Sequence, residues 1–128
     1  MRLLLDTHTL LWWTLDDRRL SATAREAVAD AANAVYVSAA SAWELAIKAG
    51  LGRLSLPEEL GRLLAEELRS NGFRPLAVSM AHAVAVRDLA PHHRDPFDRI
   101  LIAQAQLEDL TLVSADDAMR PYGTALLW

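Results

Sequence analysis

The segment "HHRDPFDRILIAQA" at residues 92–105 places ionisable side chains directly before an apolar run of helical period. Two of them, Asp95 and Asp98, are carboxylates three positions apart. Acids there have ordinary explanations, because Asp95 before Pro96 is typical of a turn and Asp98 can stabilise a helix start through the helix dipole. A third explanation is a metal site, since carboxylate oxygens are the ligands that hard divalent cations prefer.

Three further acids follow short apolar segments that have the composition of buried strands. Asp6 directly follows the first such segment, Glu44 lies in the helical segment after the second, and Asp116 lies two residues past Ser114 in the fourth. Asp98 begins the helix that leads into that fourth segment. Because ligands of open parallel sheets gather beyond the carboxyl ends of the strands, we expect these four acids to share one edge.

Four carboxylates that converge without basic partners repel one another and lose hydration energy. Divalent cations relieve both penalties, and oxygen ligands without cysteine favour Mg²⁺ or Mn²⁺ over zinc. Two such ions about 4 Å apart can clamp the attacking and leaving oxygens of a phosphodiester displacement. The acids therefore predict nuclease chemistry.

Each acid also has an interpretation that needs no metal. Asp6 can start a turn or cap a helix, and Glu44 can be a solvated helix residue. Asp116 and Asp117 can be N-cap residues, with Asp117 the expected cap. The pattern also leaves open which of the two acids in residues 92–105 is the direct ligand. The hypothesis rests on the shared placement of the acids.

The elements that must position these acids alternate along the chain between strands and helices, which predicts βαβ units and an α/β fold. We expect a three-layer α/β/α domain over residues 1–128, with a central, mainly parallel sheet of about five strands. Helix ends are marked by Ser21 as an N-cap, by Pro57 at a helix start, and by Gly50 and Gly72 after helices. The predicted strands are 2–5, 34–38, 75–79, 110–114 and 124–128, and the predicted helices are 7–15, 21–30, 41–50, 57–72, 80–90 and 97–107.

The composition excludes several classes of protein. The apolar fraction of 52% argues against disorder, and no apolar run reaches the roughly 18 residues of a membrane helix. The early Asp6 argues against a signal peptide, and the absence of cysteine excludes disulfides and thiolate sites, so we expect a cytoplasmic protein. The net charge of −4 is unusual for a nucleic-acid binder, but without the four clustered acids 13 carboxylates would balance 13 basic residues, twelve of them arginine.

The segments "LLLDTHTLLWW", "SAASAWELAIK", "HHRDPFDRILIAQA" and "LVSADDAM" together resemble the PIN-domain family, and within it the VapC-type toxins of type II toxin–antitoxin modules. The resemblance covers essentially the whole chain, and its "HRDPFDR" block is the most specific part. It implies a Mg²⁺- or Mn²⁺-dependent endoribonuclease that cuts transfer or ribosomal RNA and leaves 5′-phosphate and 3′-hydroxyl ends. It also implies inhibition by a cognate VapB-type antitoxin, and commonly a homodimer.

The same resemblance implies the roles of individual residues. Asp6, Glu44, Asp98 and Asp116 match the catalytic, metal-binding acids of the family. Asp98 is favoured over Asp95 as the ligand because Ala103 follows it at the spacing of the family helix. Asp95 is expected to cap that helix or to join the outer shell through water. Supporting roles are also expected for the outer-shell candidates Thr7, Ser38 and Ser114, and for the possible phosphate contacts Arg94 and Arg99.

Other functions fit the residues less well. A haloacid dehalogenase phosphatase needs a second Asp two residues after the first, where this chain has His8. A receiver domain needs paired early acids and a late lysine at a strand end, and the sole lysine is Lys48. The main alternative is a non-catalytic protein of the same fold that binds RNA or protein. Metal-dependent RNA cleavage separates it from a nuclease.

Overall fold

Short apolar strands form the centre of the fold, as their sequences predict. A computed structural model describes residues 1–128. The strands are β1 (Arg2–Leu5), β2 (Ala34–Ser38), β3 (Arg74–Leu76), β4 (Thr111–Val113) and β5 (Leu126–Leu127). The helices are α1 (Thr7–Thr14), α2 (Ala22–Ala29), α3 (Ala39–Gly50), α4 (Leu60–Asn71), α5 (Met80–Ala85) and α6 (Pro96–Leu107), with 3₁₀ turns at Val86–Asp88 and Asp117–Tyr122.

The five strands form one entirely parallel sheet in the order β3-β2-β1-β4-β5. Strand β1 is central and pairs with β2 on one side and β4 on the other, so that Leu3 lies opposite Val35 and Thr111. The chain builds β1, β2 and β3 in one direction and then returns to the other side of β1. The crevice where ligands bind in such sheets therefore lies between the carboxyl ends of β1 and β4.

Alternate residues of β1 enter two different hydrophobic cores. Leu3 and Leu5 pack into a core that includes residues of α1, α2 and α3, whereas Leu4 packs into a second core that includes Leu101 and Ile102 of α6. All three leucines of β1 are fully buried. The sheet is thus covered on both faces, and the predicted three-layer α/β/α architecture is confirmed.

Two helix starts and one helix end differ from the prediction, and the starts differ because a polar side chain caps an earlier or a later residue. Helix α3 begins at Ala39 rather than at residue 41, since the Ser38 hydroxyl accepts from the Ala40 amide at 3.0 Å. Helix α4 begins three residues after Pro57, where the Glu59 carboxylate accepts from two backbone amides. Gly50 is the last residue of α3 rather than the residue after it.

The segment after β3 also differs from the prediction. Strand β3 ends at Leu76, and Ser79 caps α5 in a reciprocal arrangement with His82 instead of extending the strand. Helix α5 then tightens into the 3₁₀ turn after Ala85. The cap of Ser21 on α2 and the left-handed Gly72 after α4, with φ of +67°, are as predicted. None of the helices has the length and apolar character that crossing a membrane requires.

Candidate metal centre

Asp6 lies at the crevice between β1 and β4, where its backbone and side chain are both held. Its amide donates to the Val113 carbonyl at 3.1 Å, which continues the sheet pairing by one residue. One carboxylate oxygen accepts from the Thr9 amide at 2.7 Å, so Asp6 is the N-cap of α1. The Thr9 hydroxyl in turn donates to the Val113 carbonyl at 2.9 Å. The residue is 3% exposed, and its carboxylate is fixed beside the end of β4.

Three residues from two segments of the chain meet beside Asp6. His93 precedes α6, Asp98 lies in its first turn, and Asp116 follows β4. The His93 Nε2 atom lies 2.8 Å from Asp98 Oδ2 and 3.4 Å from Asp116 Oδ2. Ligand atoms of the three residues all lie within 4.8 Å of one another, which is close enough for one ion to contact all of them.

The hydrogen bonds of His93 determine where its ring carries a proton. Its Nδ1 atom accepts from the Arg94 amide at 3.1 Å, so the proton of the neutral ring is on Nε2. That N–H points between Asp98 and Asp116 and donates to Asp98. The imidazole thus places a positive dipole where two carboxylates would otherwise face each other.

Burial raises the pKa of Asp98 to about 6, and the charges of Asp95 and Asp6 push it in the same direction. The hydrogen bond and charge of His93 oppose this rise without cancelling it. The side chain of Asp98 is only 20% exposed, so water does little to stabilise its ionised form, and nearby positive charge does not make up the difference. A divalent cation would supply this charge.

Glu44 lies on α3 in a different environment from the other predicted ligands. Its carboxylate is buried and pairs with Lys48 one turn later, with 2.7 Å between Oε2 and Nζ. The structure does not bring Glu44 into the group formed by His93, Asp98 and Asp116. Its role as a metal ligand stays a prediction, and Lys48 is a partner that the sequence argument did not assign to it.

The predicted outer-shell residues form hydrogen bonds within the protein. The Ser114 hydroxyl accepts from the Asp116 amide at 3.0 Å, and the Thr7 hydroxyl donates to Ser41 of α3 at 3.1 Å. Asp95 caps α6 by accepting from the amides of Phe97 and Asp98. These contacts hold the backbone beside the acids.

The two arginines of the 92–105 segment have different surroundings. Arg99 donates to four carbonyls in the 3₁₀ turn and the loop before α6, and to the Tyr122 hydroxyl, at 2.9–3.3 Å. Its guanidinium fastens the loop that carries His93, so a phosphate contact by Arg99 is not what this geometry favours. Arg94 is exposed and has no side-chain hydrogen bond within the protein, which leaves its guanidinium available.

The helical turn after β4 corrects one prediction. Asp116, not Asp117, is its N-cap, and one Asp116 oxygen accepts from the Ala118 amide at 2.9 Å. Asp117 instead forms an exposed ion pair with Arg120 at 2.7 Å. The cap therefore lies one residue earlier than predicted, and the Ser114 hydroxyl holds the Asp116 amide at that position.

A polar cleft of about 300 Å³ opens beside these acids, and sequence reasoning missed it. It is lined by Asp6, His8, Trp12, Arg19, Ala115 and Asp116. His8 and Trp12 are one turn apart on the helix that Asp6 caps, and this spacing is visible in the sequence. Arg19 arrives from a turn after α1 that no periodicity predicts.

Comparison with known proteins gives the family of this fold. The model of the PIN domain family matches residues 3–123. Ribonuclease VapC22 of Mycobacterium tuberculosis is 34% identical to this chain over 122 residues, which are 93% of the chain and 90% of that protein. This chain is a PIN domain of the VapC type.

Solved structures agree with the PIN domain at the level of the fold. The crystal structure of VapBC2 from Rickettsia felis, bound to a promoter DNA fragment, gives a TM-score of 0.71 at 15% identity and full coverage of both chains. The structure of VapBC-1 from nontypeable Haemophilus influenzae gives 0.67 at 15% identity, with coverage of 98% and 96%. The family-level prediction made from the motifs is therefore confirmed.

Proposed function

We propose that this PIN domain is a metal-dependent endoribonuclease, the toxin of a type II toxin–antitoxin pair, and that it acts on RNA in the cytoplasm. The observation that carries the proposal is the meeting of Asp6, Asp98 and Asp116 at the crevice between β1 and β4. Its similarity to Ribonuclease VapC22 along most of the chain supports the choice of RNA as the substrate.

The residues present fit a hard divalent cation. Asp98 and Asp116 offer carboxylate oxygens within reach of a single ion, and the raised pKa of Asp98 reflects a need for positive charge. We propose that these two acids hold Mg²⁺ or Mn²⁺, with Asp6 beside them and Glu44 as a further ligand. A bound ion of this kind lowers the pKa of water and offsets the charge of a phosphodiester.

Residues around the proposed metal site orient its ligands and hold a proton there. The Thr9 amide fixes one oxygen of Asp6 and leaves the other free to orient an incoming group. His93 holds its Nε2 proton between Asp98 and Asp116, so it must turn aside or lose that proton when a cation binds. Arg94, exposed beside the site, is the proposed contact to an RNA phosphate, and the proposed ends after hydrolysis are a 5′-phosphate and a 3′-hydroxyl.

A protein partner is part of the proposal. An apolar groove of about 510 Å³ lies between α3, α5 and α6, and Trp43, Val86, Phe97 and Ile100 are among its lining residues. Trp43 is 63% exposed, and its ring packs edge-on against Phe97 at 5.0 Å between centroids. We propose that a VapB-type antitoxin inserts an apolar segment here, next to the helix that carries Asp98.

Cleavage of total cellular RNA by the purified, partner-free chain tests the enzymatic proposal. We expect cuts at a few discrete sites with Mg²⁺ or Mn²⁺ and none with EDTA. Asp98→Asn and Asp116→Asn should each lower the rate by more than about a hundredfold, since outer-shell partners alone are worth about 10–100-fold. Asp117→Asn is the matched control, because Asp117 is adjacent but pairs with Arg120.

Two results would count against the enzymatic proposal. Equal cleavage rates for the wild type, Asp98→Asn and Asp116→Asn would show that these two acids take no part in cleavage. Intact RNA with every metal would favour the non-catalytic binding module.

The proposed homodimer has a separate test. Light scattering of the purified chain should give a mass about twice the 14.1 kDa of one protomer. A mass of one protomer at micromolar concentration would contradict it.

A further inference from the structure

The polar cleft beside the acids contains groups that holding a metal does not require. Helix α1 begins at the Asp6 cap and presents His8 and Trp12 on one side, with ring centroids 5.7 Å apart. The indole of Trp12 is also packed by Trp128, at 5.7 Å, so its orientation is fixed from two sides. Because the same helix carries the cap and the rings, the rings have a fixed distance from Asp6.

Arg19 adds a cation to this aromatic surface. Its guanidinium carbon lies 5.1 Å from the centroid of the Trp12 ring, within the range of a cation–π contact. Asp17 holds it there with two hydrogen bonds, from Nε at 3.0 Å and from Nη2 at 2.8 Å. The side chain of Arg19 is still 68% exposed.

The bonds to Asp17 leave Arg19 able to bind a further anion. A guanidinium has five N–H donors, and Asp17 uses two of them, so the other three are free. The pKa of Asp17 is lowered to about 2, chiefly by its hydrogen bonds to Arg19, so the pair stays ionised and oriented at neutral pH. Arg19 is thus a fixed cation in a cleft whose other charged lining residues are the acids Asp6 and Asp116.

We propose that His8, Trp12 and Arg19 form a subsite for one unpaired nucleotide next to the scissile phosphate of single-stranded RNA. The base stacks on the His8 and Trp12 rings, and the phosphate accepts from the free donors of Arg19. This inference rests on the proposed ribonuclease function and assigns it a substrate class.

The size and chemistry of the cleft favour a nucleotide over a peptide. A volume of about 300 Å³ is at the lower limit of ligand pockets, which suits one nucleotide rather than a duplex. Unpaired bases are recognised by stacking on aromatic rings and guanidinium planes, and both are present. The phosphate of RNA approaching Asp6 and Asp116 also needs a nearby cation, which Arg19 supplies.

The test compares RNA binding by variants at three exposed residues. Arg19→Gln and His8→Ala remove the cation and one ring, and Arg69→Gln is the matched control, an exposed arginine paired with Glu66 on α4. Trp12 packs against the core, so Trp12→Phe is a fourth variant that retains a ring. Binding is measured by fluorescence anisotropy of a labelled, unstructured 16-nucleotide RNA in EDTA, where metal-dependent cutting is blocked.

We expect Arg19→Gln and His8→Ala each to weaken binding of the single strand by about tenfold, as loss of stacking or a phosphate contact does. Arg69→Gln should bind like the wild type, Trp12→Phe should lose less than His8→Ala, and the RNA annealed to its complement should not respond to Arg19→Gln. In Mn²⁺ the same two variants should raise KM for cleavage more than they lower kcat.

Other outcomes overturn the subsite. Unchanged single-strand affinity in both variants refutes it, as does equal loss in Arg69→Gln. If Arg19→Gln leaves RNA affinity intact but weakens an antitoxin complex, the cleft belongs to the protein partner. A wild type that cuts no RNA refutes the proposed function, whereas the anisotropy comparison in EDTA still decides on the subsite.

Discussion

Asp98 is the residue on which burial, charge and geometry act together. Its carboxylate lies in the first turn of α6, within hydrogen-bond distance of His93 and near the three acids Asp6, Asp95 and Asp116. Because the pKa of this carboxyl group is raised to about 6, its ionisation at neutral pH lowers the stability of the metal-free fold. A bound cation would stabilise the ionised form and offset this loss.

This arrangement predicts how the metal-free protein responds to pH. Between about pH 4 and pH 6 the folded chain retains the Asp98 proton that the unfolded chain has released. The stabilising contribution of this proton is complete below pH 4 and is lost as pH rises through 6. In EDTA, the free energy of unfolding should therefore fall over this range for the wild type relative to Asp98→Asn.

Urea denaturation at several pH values measures this difference. The pKa of Asp17 is lowered to about 2, so its contribution to stability changes mainly below about pH 4, and it is present in both proteins and cancels in the comparison. Identical pH dependence of the free energy of unfolding in the two proteins would mean that ionisation of Asp98 does not destabilise the folded chain. With Mn²⁺ present, the wild type should instead gain stability as pH rises, since the metal needs the ionised carboxylate.

The sequence predicted some roles of single residues and missed others for one reason. Asp95 as a cap follows from the local "DPFD" order, and the structure has it there. The contact of His93 with Asp116 joins residues that are distant along the chain, and no local pattern encodes it. The same holds for Arg99, whose carbonyl acceptors lie in the 3₁₀ turn and the loop before α6.

At the scale of elements, the start of α6 links stability to the site. Asp95 Oδ1 accepts from the amides of Phe97 and Asp98, so it fixes the first turn that carries the proposed ligand. Asp95→Ala should lower the free energy of unfolding by about 1 kcal/mol, within the usual range of about 0.5–2 kcal/mol for lost caps. Asp95→Asn should stay close to the wild type, because Asn caps as well as Asp does.

Chemical denaturation near neutral pH measures both variants. Asp88→Ala, at an exposed acid paired loosely with Arg87, is the control and should change stability by less than about 0.5 kcal/mol. Equal losses in Asp95→Ala and Asp95→Asn would show that charge, rather than capping, stabilises this turn.

The elements themselves were predictable, whereas several boundaries were not. Short apolar runs such as residues 2–5 predict buried strands from local sequence alone, and all five predicted strands are present. Boundaries depend on which polar side chain caps the helix, and Ser38 and Glu59 were both available without standing out. The shortening of α5 into a 3₁₀ turn likewise has no local signature.

At the scale of the molecule, the acids and the apolar groove lie close together. Pro96, Phe97 and Ile100 form one side of the groove on the same helix that carries Asp98. A partner segment in the groove would therefore lie beside the clustered acids. The parallel sheet puts the carboxyl end of every strand at one edge, which is why the predicted fold class sufficed to place Asp6 and Asp116 at the same edge.

The groove yields a prediction about the antitoxin. Trp43→Glu should weaken the complex with a co-expressed VapB-type partner by about 30-fold or more, as the loss of an aromatic anchor does, while cleavage of RNA by the free chain is retained. Leu107→Glu, at another exposed apolar residue, is the control. Isothermal titration calorimetry would measure the affinity of each variant for the partner. Equal affinity of Trp43→Glu and the wild type would show that the partner binds elsewhere.

A crystal structure of the protein with saturating Mn²⁺, read from the anomalous signal, tests the central claim most directly. We predict a peak in contact with carboxylate oxygens of Asp98 and Asp116, with Asp6 beside it and the His93 ring moved out of the bond to Asp98. No peak at this position, with His93 still bonded to Asp98 in a protein that cuts RNA, would contradict the metal site.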